Sequence, residues 1–474
     1  MNSIAPNALQ MLWHDADARE ELLRSVVTAR LANLRVAAPD DAIVATYFLA
    51  LRTRTLKEAA DDIAYHATSG IKHPPPSSLL EQCTSKLLEI DAFDTTGRLG
   101  LVQIAFPVKM MLHPDGHLTS CDILHTIAGA IIFDVYENQD ARLVCLQIPD
   151  AVVRQFPGPA HGPAGLRRST GFAPSEPAFG TILKPTAGIT PSDVGSLVEA
   201  AAACPLFLFI KEDENLYPDL DYSPVGERTR QALAGIQRAQ SKQGDRKILF
   251  APHVTGAPHE VLHSASSALD AGANALMLSE SFAGGIVRQL REFTRGRESV
   301  PAIYGHNAGI GVKTRSIWRE VIDLLARLDG IDFRQTAPVK PGPPFLKPYG
   351  QEWEAAEAVL TRPLPEIKPV MIVRAGGLDQ GNIGLNLEDA DRRGITENVM
   401  FLAGSAINSI TNSRGRPDPQ LGAEAMKQAL EVYLSGELRG ASMEEHLPAL
   451  RALAERQSSS LHALREALRQ RYSH

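Results

Sequence analysis

From Phe179 onward the chain alternates short apolar runs with amphipathic helical segments, and no other feature of the sequence constrains the fold as tightly. The predicted strands are Phe179–Lys184, Leu206–Lys211, Ile248–Pro252, Ala275–Leu278, Ala302–Tyr304, Ile331–Phe333, Val370–Val373 and Met400–Leu402. Short apolar runs bounded by turn residues are what strands buried on both faces look like, and helical spacing between them places a covering helix after each. Strand–helix pairs repeated over about 260 residues fit the α/β fold of a (β/α)8 TIM barrel. An open doubly wound sheet is the other arrangement this alternation allows, but the Gly-rich first turn of a dinucleotide fold is missing from the sequence.

The preceding part reads differently. Predicted strands at Ile43–Leu51, Leu99–Pro107, Ala130–Val135 and Ala141–Ile148 mix with predicted helices at Leu56–His66 and Ser120–Ile127, the pattern of a smaller α+β, ferredoxin-like domain. Residues 1–35 read as a helical extension, with Leu22, Leu23, Val26 and Val27 at helical spacing. Around Phe156–Pro177 the composition turns to Pro, Gly and Ser, which marks a linker and divides the chain into an N-terminal domain, 1–155, and a barrel domain, 156–474. The stretch from Met443 to Arg471 carries Leu447, Leu450, Leu453, Leu461, Leu464 and Leu468 at helical spacing, and a subunit contact is one use for such a seam.

Two domains are what 474 residues lead one to expect. A net charge of −7, with no Lys/Arg-rich stripe, gives no general attraction for nucleic acid or anionic membranes, so an anionic substrate needs a local site. The N-terminus lacks a basic segment followed by an apolar run, and no stretch reaches the ~18 apolar residues of a membrane helix, so a cytoplasmic protein is expected. Cys83, Cys121, Cys145 and Cys204 are scattered without metal-ligand spacing and read as structural.

In a barrel, catalytic groups sit at the C-terminal ends of the strands. The first barrel strand closes on Lys184, where burying an unpaired ammonium costs several kcal/mol by rough estimate; a snorkelling surface lysine is the plain alternative. The second closes on Lys211-Glu-Asp-Glu214. Residues i and i+2 of a strand share a face, so Lys211 and Asp213 converge and Glu214 can swing in as strand becomes loop. Two carboxylates suit Mg²⁺, and a lysine adds a third oxygen ligand only when CO₂ converts it to a carbamate. On spacing alone an ordinary charged loop is the favoured account of this cluster. His306 closes the fifth strand and His253 follows the third, each a candidate proton carrier with a structural role as its alternative. Gly376-Gly377 after strand seven and Gly404-Ser405 after strand eight are turns whose backbone N–H groups can cradle a phosphate.

Phe156-Pro-Gly-Pro-Ala-His-Gly162, Gly180-Thr-Ile-Leu-Lys-Pro185 and Phe209-Ile-Lys-Glu-Asp-Glu-Asn215 resemble, in order and spacing, three signature stretches of the ribulose-bisphosphate carboxylase large chain and its non-carboxylating RuBisCO-like relatives. The resemblance implies Lys211 as the carbamylated lysine, Asp213 and Glu214 as Mg²⁺ ligands, and Lys184 as the lysine that handles protons at the enolised carbon. It also implies His306 as the strand-five histidine, Gly376, Gly377, Gly404 and Ser405 as a phosphate site, and active homodimers. Lys340 stands where the family has its loop-six lysine, although a shifted alignment puts Val339 there.

Departures from the family pattern point away from CO₂ fixation. Asn307 replaces an arginine, Asp332 stands in for a histidine that would hold a second phosphate, and Thr186 replaces a lysine. The residues that would complete a neighbour's active site are replaced near His66 and Ala130. The expected reaction is therefore Mg²⁺-dependent enolisation of a monophosphorylated keto-sugar or 3-oxo sugar acid. Decarboxylation of the 3-oxo-isoapionate 4-phosphate type is favoured through Lys340 and Arg334, either of which suits a carboxylate. A methionine-salvage type enolase or methylthioribulose-phosphate isomerase would share the first step. A class I aldolase with Lys184 as Schiff base would be trapped by borohydride, and a barrel kept only as a scaffold would lose nothing on Lys211→Ala.

Overall fold

The computed structural model describes residues 16–34, 39–129, 138–240, 246–339 and 351–472. The chain forms two compact units. One runs to Pro157 and includes Gly309–Asp329 and Pro363–Ile367; the other comprises Gly158–Ala308, Gly330–Arg362 and the chain from Lys368.

In the first unit, strands β1 (Ala42–Leu51), β2 (Lys86–Ala92), β3 (Leu99–Pro107) and β4 (Asn138–Gln147) form an antiparallel sheet in the order β2-β3-β1-β4. This is the ferredoxin-like order. The helix Leu56–His66 begins on a capping box, with the Thr55 side chain accepting from the Glu58 N–H, and buries Leu56, Ala59, Ala60 and Ile63. Strand β2 escapes sequence reading because it is a half-buried edge strand without clean alternation. The predicted strand Ala130–Val135 lies outside the described residues. The predicted helix Ser120–Ile127 is an α-helix only over Ser120–Leu124 and widens into a π turn at His125–Gly129. The segment after the fifth barrel strand belongs to this unit: Ile317 bridges Leu143, and Trp318 is buried with Val27, Phe48, Phe93 and Leu101.

In the second unit, eight parallel strands follow one another: β5 (Ala178–Ile182), β6 (Phe207–Lys211), β7 (Leu249–Ala251), β8 (Ala275–Leu278), β9 (Ala302–Gly305), β10 (Phe333–Thr336), β11 (Met371–Ala375) and β12 (Val399–Ala403). Pairing runs continuously from β8 through β12 to β5, β6 and β7, and a bridge between His253 and Met277 joins β7 back to β8. The fold is therefore the expected (β/α)8 barrel. Its interior is filled by alternate residues of successive strands, among them Phe209, Ala251, Met277, Tyr304, Phe333, Val373 and Leu402. Gly180 is small because the barrel is full: a Cβ there would stand 2.7 Å from both the Leu402 side chain and the Phe209 carbonyl oxygen. The C-terminal stretch is two helices, Met443–Arg456 and His462–Arg471, and Leu450, Leu453, Leu461, Leu464 and Leu468 are buried. That seam is turned into the protein's own core.

Candidate active site

Continuing the interior alternation past the strand ends picks out the chemistry. Phe209 is followed on the same face by Lys211 and Asp213, Tyr304 by His306, Met371 and Val373 by Ala375 and Gly377, Leu402 by Gly404, and Ala178 and Gly180 by Ile182 and Lys184. The three lysine and histidine positions and both glycine turns thus share a parity with the barrel core. Glu212, of opposite parity, pairs with Arg228 through two hydrogen bonds of 2.8 and 3.0 Å and accepts the His253 N–H at 2.9 Å, all without exposure to solvent.

Lys211 is fully buried above Tyr304, whose ring centroid lies 5.6 Å from Nζ. Its ammonium donates to the Glu212 carbonyl oxygen at 2.9 Å. Burial pushes its pKa down to about 8 against the opposing pull of Glu214 and Asp213. Lys184 donates to Asp213 Oδ2 at 2.5 Å, while Asp213 Oδ1 accepts from both the backbone and the side-chain amide of Asn215 at 3.1 Å. Burial alone would raise the Asp213 carboxyl; the Lys184 and Asn215 hydrogen bonds outweigh it and hold the group below the ordinary carboxylate range.

His306 Nε2 lies 3.3 Å from Glu214, and its Nδ1 accepts the Ala308 N–H at 3.1 Å. An accepting Nδ1 leaves the neutral ring's proton on Nε2, facing the carboxylate. Burial first, then the nearby cations headed by Lys211, pushes the imidazole down to about 2, so this histidine is neutral at any working pH. Lys184, Lys211, Asp213, Glu214 and His306 are thus brought together. Tyr304 and Asn215 were missed in the sequence, although Tyr304 carries the same parity as His306.

The other expected residues fall elsewhere. Gly376 and Gly377, both at positive φ (86° and 94°), and Gly404-Ser405 lie at the ends of the paired strands β11 and β12. The second of these turns borders β5, since Asn408 donates from Nδ2 to the Ile182 and Gly404 carbonyl oxygens at 2.8 and 3.0 Å. Lys340 lies outside the described residues. Val339, its alternative, is buried and clamped, donating to Asn386 Oδ1 at 2.8 Å and accepting from its Nδ2 at 2.9 Å. His253 is buried with Nδ1 bonded to the Leu216 carbonyl oxygen at 3.0 Å, and burial lowers its pKa.

One expectation needs correction. Strand β10 begins two residues later than the sequence suggested, so Asp332 precedes it. That carboxylate is fully buried, accepts the His161 and Ile303 N–H groups at 2.8 and 2.9 Å and pairs with Arg291, which makes it a structural group and not an acid beside a substrate phosphate. Arg334 takes the parity opposite to Phe333 and pairs with Glu280, close to Gly305, whose missing side chain leaves room for it. Its guanidinium is engaged by that carboxylate and lies close enough to Tyr304 and His306 to act on both electrostatically.

Asp213 and Glu214 are hard oxygen donors of the kind Mg²⁺ prefers. Among the described residues no group of three or more His, Cys, Asp or Glu is placed to hold a metal ion, so the translated side chains fall one ligand short. A carbamate on Lys211, which is buried within the pull of both carboxylates and has its pKa depressed, would complete an oxygen set, and on that chemistry the residues fit the ion.

Comparison with known proteins agrees with this architecture. Residues 170–459 match the ribulose bisphosphate carboxylase large chain, catalytic domain. A 3-oxo-isoapionate-4-phosphate decarboxylase from Rhizobium rhizogenes is 30% identical over 346 residues, 70% of this chain and 75% of that protein. A ribulose bisphosphate carboxylase from Archaeoglobus fulgidus is 26% identical over 434 residues, 85% and 91% respectively. Among solved structures, a rubisco-like protein (MtnW) from Alicyclobacillus acidocaldarius superposes with a TM-score of 0.73 at 25% identity, covering 91% of this chain and 100% of that one. Signature stretches, barrel, strand-end cluster and matched relatives agree: the chain belongs to the ribulose bisphosphate carboxylase large-chain family and is a RuBisCO-like member of that superfamily.

Proposed function

We propose that this protein is an enzyme that enolises a monophosphorylated 3-oxo sugar acid or keto-sugar, with loss of CO₂ as the favoured outcome. The observation that carries the reading is the gathering of two lysines and two carboxylates at the ends of adjacent strands: Lys184 paired with Asp213, and Lys211 buried within the pull of Asp213 and Glu214 with its pKa near 8. Lys211 as a carbamate, Asp213 and Glu214 would hold Mg²⁺, and the bound ion would polarise the substrate carbonyl and stabilise the negative charge that develops on its oxygen. The Lys211 ammonium first loses a proton, and the neutral amine then attacks CO₂ and loses a second, so that a buried cation would become an anion beside the site.

His306, neutral and held by the Ala308 N–H, orients Glu214 through Nε2. Lys184 holds or moves the proton at the carbon next to the carbonyl. For a β-keto acid the bond to the carboxylate breaks, its electron pair becomes the enolate, CO₂ departs and Lys184 returns a proton to carbon. The turns at Gly376-Gly377 and Gly404-Ser405 bind the substrate's phosphate. Thr186 and Asn307, in place of a lysine and an arginine, argue against carboxylation of a bisphosphate. The likeness to a 3-oxo-isoapionate-4-phosphate decarboxylase supports decarboxylation. Homodimers with a cytoplasmic location complete the reading; no helix among the described residues is long and apolar enough to cross a membrane.

A second reading has its own support. Arg334 is paired with Glu280, which competes with a substrate carboxylate for one of the two groups expected to receive it, and the rubisco-like MtnW is a structural neighbour. A methionine-salvage type enolase or isomerase needs no such group. A turnover screen with Mg²⁺ and bicarbonate against phosphorylated 3-oxo acids and ketoses separates the two when CO₂ release and solvent-deuterium exchange are followed independently. CO₂ release that vanishes in Lys211→Ala supports the decarboxylase; exchange without CO₂ release supports the enolase or isomerase. Neither signal, with partner binding unchanged in Lys211→Ala, would leave a scaffold.

A further inference from the structure

The loop after β11 is tied to the far end of the chain. Within the loop, Asn382 donates from Nδ2 to the Gly377 carbonyl oxygen at 2.8 Å and accepts the Asp379 N–H at 3.0 Å on Oδ1. Asp379 accepts the Gly381 N–H at 2.9 Å. The same carboxylate receives the Tyr472 hydroxyl, 2.7 Å from each oxygen, and Arg471 Nη2 at 3.2 Å. The Tyr472 ring lies against Gly381, where a Cβ would come within 2.6 Å of its hydroxyl oxygen. Burial, reinforced by Asp379, keeps the phenol protonated far above the usual range, so it remains a donor.

A carboxylate almost wholly out of solvent is expensive unless its oxygens are all engaged, and here the partners come from the loop on one side and from the last described residues on the other. We propose that Tyr472 and Asp379 are positioning residues that fix the Gly376-Gly377 turn for the substrate's phosphate, so that the C-terminal end of the chain sets phosphate affinity. This rests on the assignment of that turn to phosphate. The relay runs Tyr472, Asp379, Asn382, Gly377, and each link is a hydrogen bond, the middle one through the Asp379 backbone N–H; Gly377 sits at φ 94°, a conformation that glycine adopts freely and that the relay holds in place.

The test uses the full-length protein with inorganic phosphate as probe, together with amide hydrogen exchange over residues 376–382. Tyr472→Phe keeps the ring against Gly381 and removes only the hydroxyl. It should weaken phosphate binding about five- to tenfold, a part of the roughly 13- to 150-fold that a hydrogen bond to a charged group is worth, because the effect reaches the turn through two further links, and it should speed exchange in the loop. On a phosphorylated substrate the loss should fall on KM more than on kcat. Gln470→Ala is the control: Gln470 holds Thr411 through hydrogen bonds of 2.8 and 2.9 Å at the same helix end without touching Asp379, and it should change neither readout. Unchanged loop exchange in Tyr472→Phe, or an equal effect in Gln470→Ala, overturns the positioning role. Wild-type protein that binds no phosphate overturns the assignment of the turn itself and the inference with it.

Discussion

Lys211 has no exposure, yet its neighbours offer it one backbone carbonyl and carboxylates already engaged with other groups. The consequence is a lysine that gives up its proton near pH 8 instead of 10.5. Carbamate formation consumes the neutral amine, so at constant dissolved CO₂ its rate should rise with pH to a midpoint near 8 and then level off; ¹³C NMR of the labelled carbamate measures this. A rate still climbing in proportion to hydroxide at pH 10 would mean an ordinary lysine. Stability follows with a definite sign. Between about pH 8 and 10.5 the unfolded chain holds more protons than the folded one, so stability rises with pH across that window, and below it the burial cost is felt in full. Lys211→Met should therefore be inactive but more stable than the parent at pH 7, by as much as about 3 kcal/mol, with the gap closing toward pH 10.5. Chemical denaturation at the two pH values checks it.

At the scale of the strand, β6 does two jobs through period-2 alternation: Lys211 and Asp213 face the chemistry, and Glu212 between them faces Arg228. Removing one partner of a buried pair leaves the other charged and unsatisfied. Arg228→Met should cost about 3–5 kcal/mol, read as a lowered denaturation midpoint, whereas Glu212→Gln with Arg228→Met together should recover part of the loss. The same alternation explains how far the sequence could be read. Apolar runs fixed all eight barrel strands in number and order, and a lysine or histidine closing such a run is legible as a site residue, as at Lys211 and His306. Strand β10 is misplaced in the sequence reading because only the first residue of Phe333-Arg-Gln-Thr336 is apolar, so the preceding Ile331 reads as its start. That shift made Asp332 look like a site acid and left the face of Arg334 open. The Tyr472–Asp379 contact spans 93 residues and has no local signature at all.

For the molecule as a whole, the lysines, carboxylates and histidine proposed to do the chemistry all lie between Lys184 and His306 in a single compact unit. The proposed proton transfer and metal binding would thus draw on one chain, while the family resemblance implies that a second copy stands beside it. The same resemblance implies that the positions through which a neighbour would contribute are replaced near His66 and Ala130, so on that reading the neighbour's part would be confined to covering the substrate. Sedimentation equilibrium should give at least twice the 51.3 kDa chain mass at micromolar concentration. On dilution, CO₂ labelling of Lys211 should persist in the separated chains because its partners Glu212, Asp213 and Glu214 travel with it. Turnover should fall at the concentration where the mass halves. Labelling lost together with the dimer would place part of the carbamate's environment in the neighbour, and turnover that survives as a monomer would show that one chain both holds and encloses its substrate.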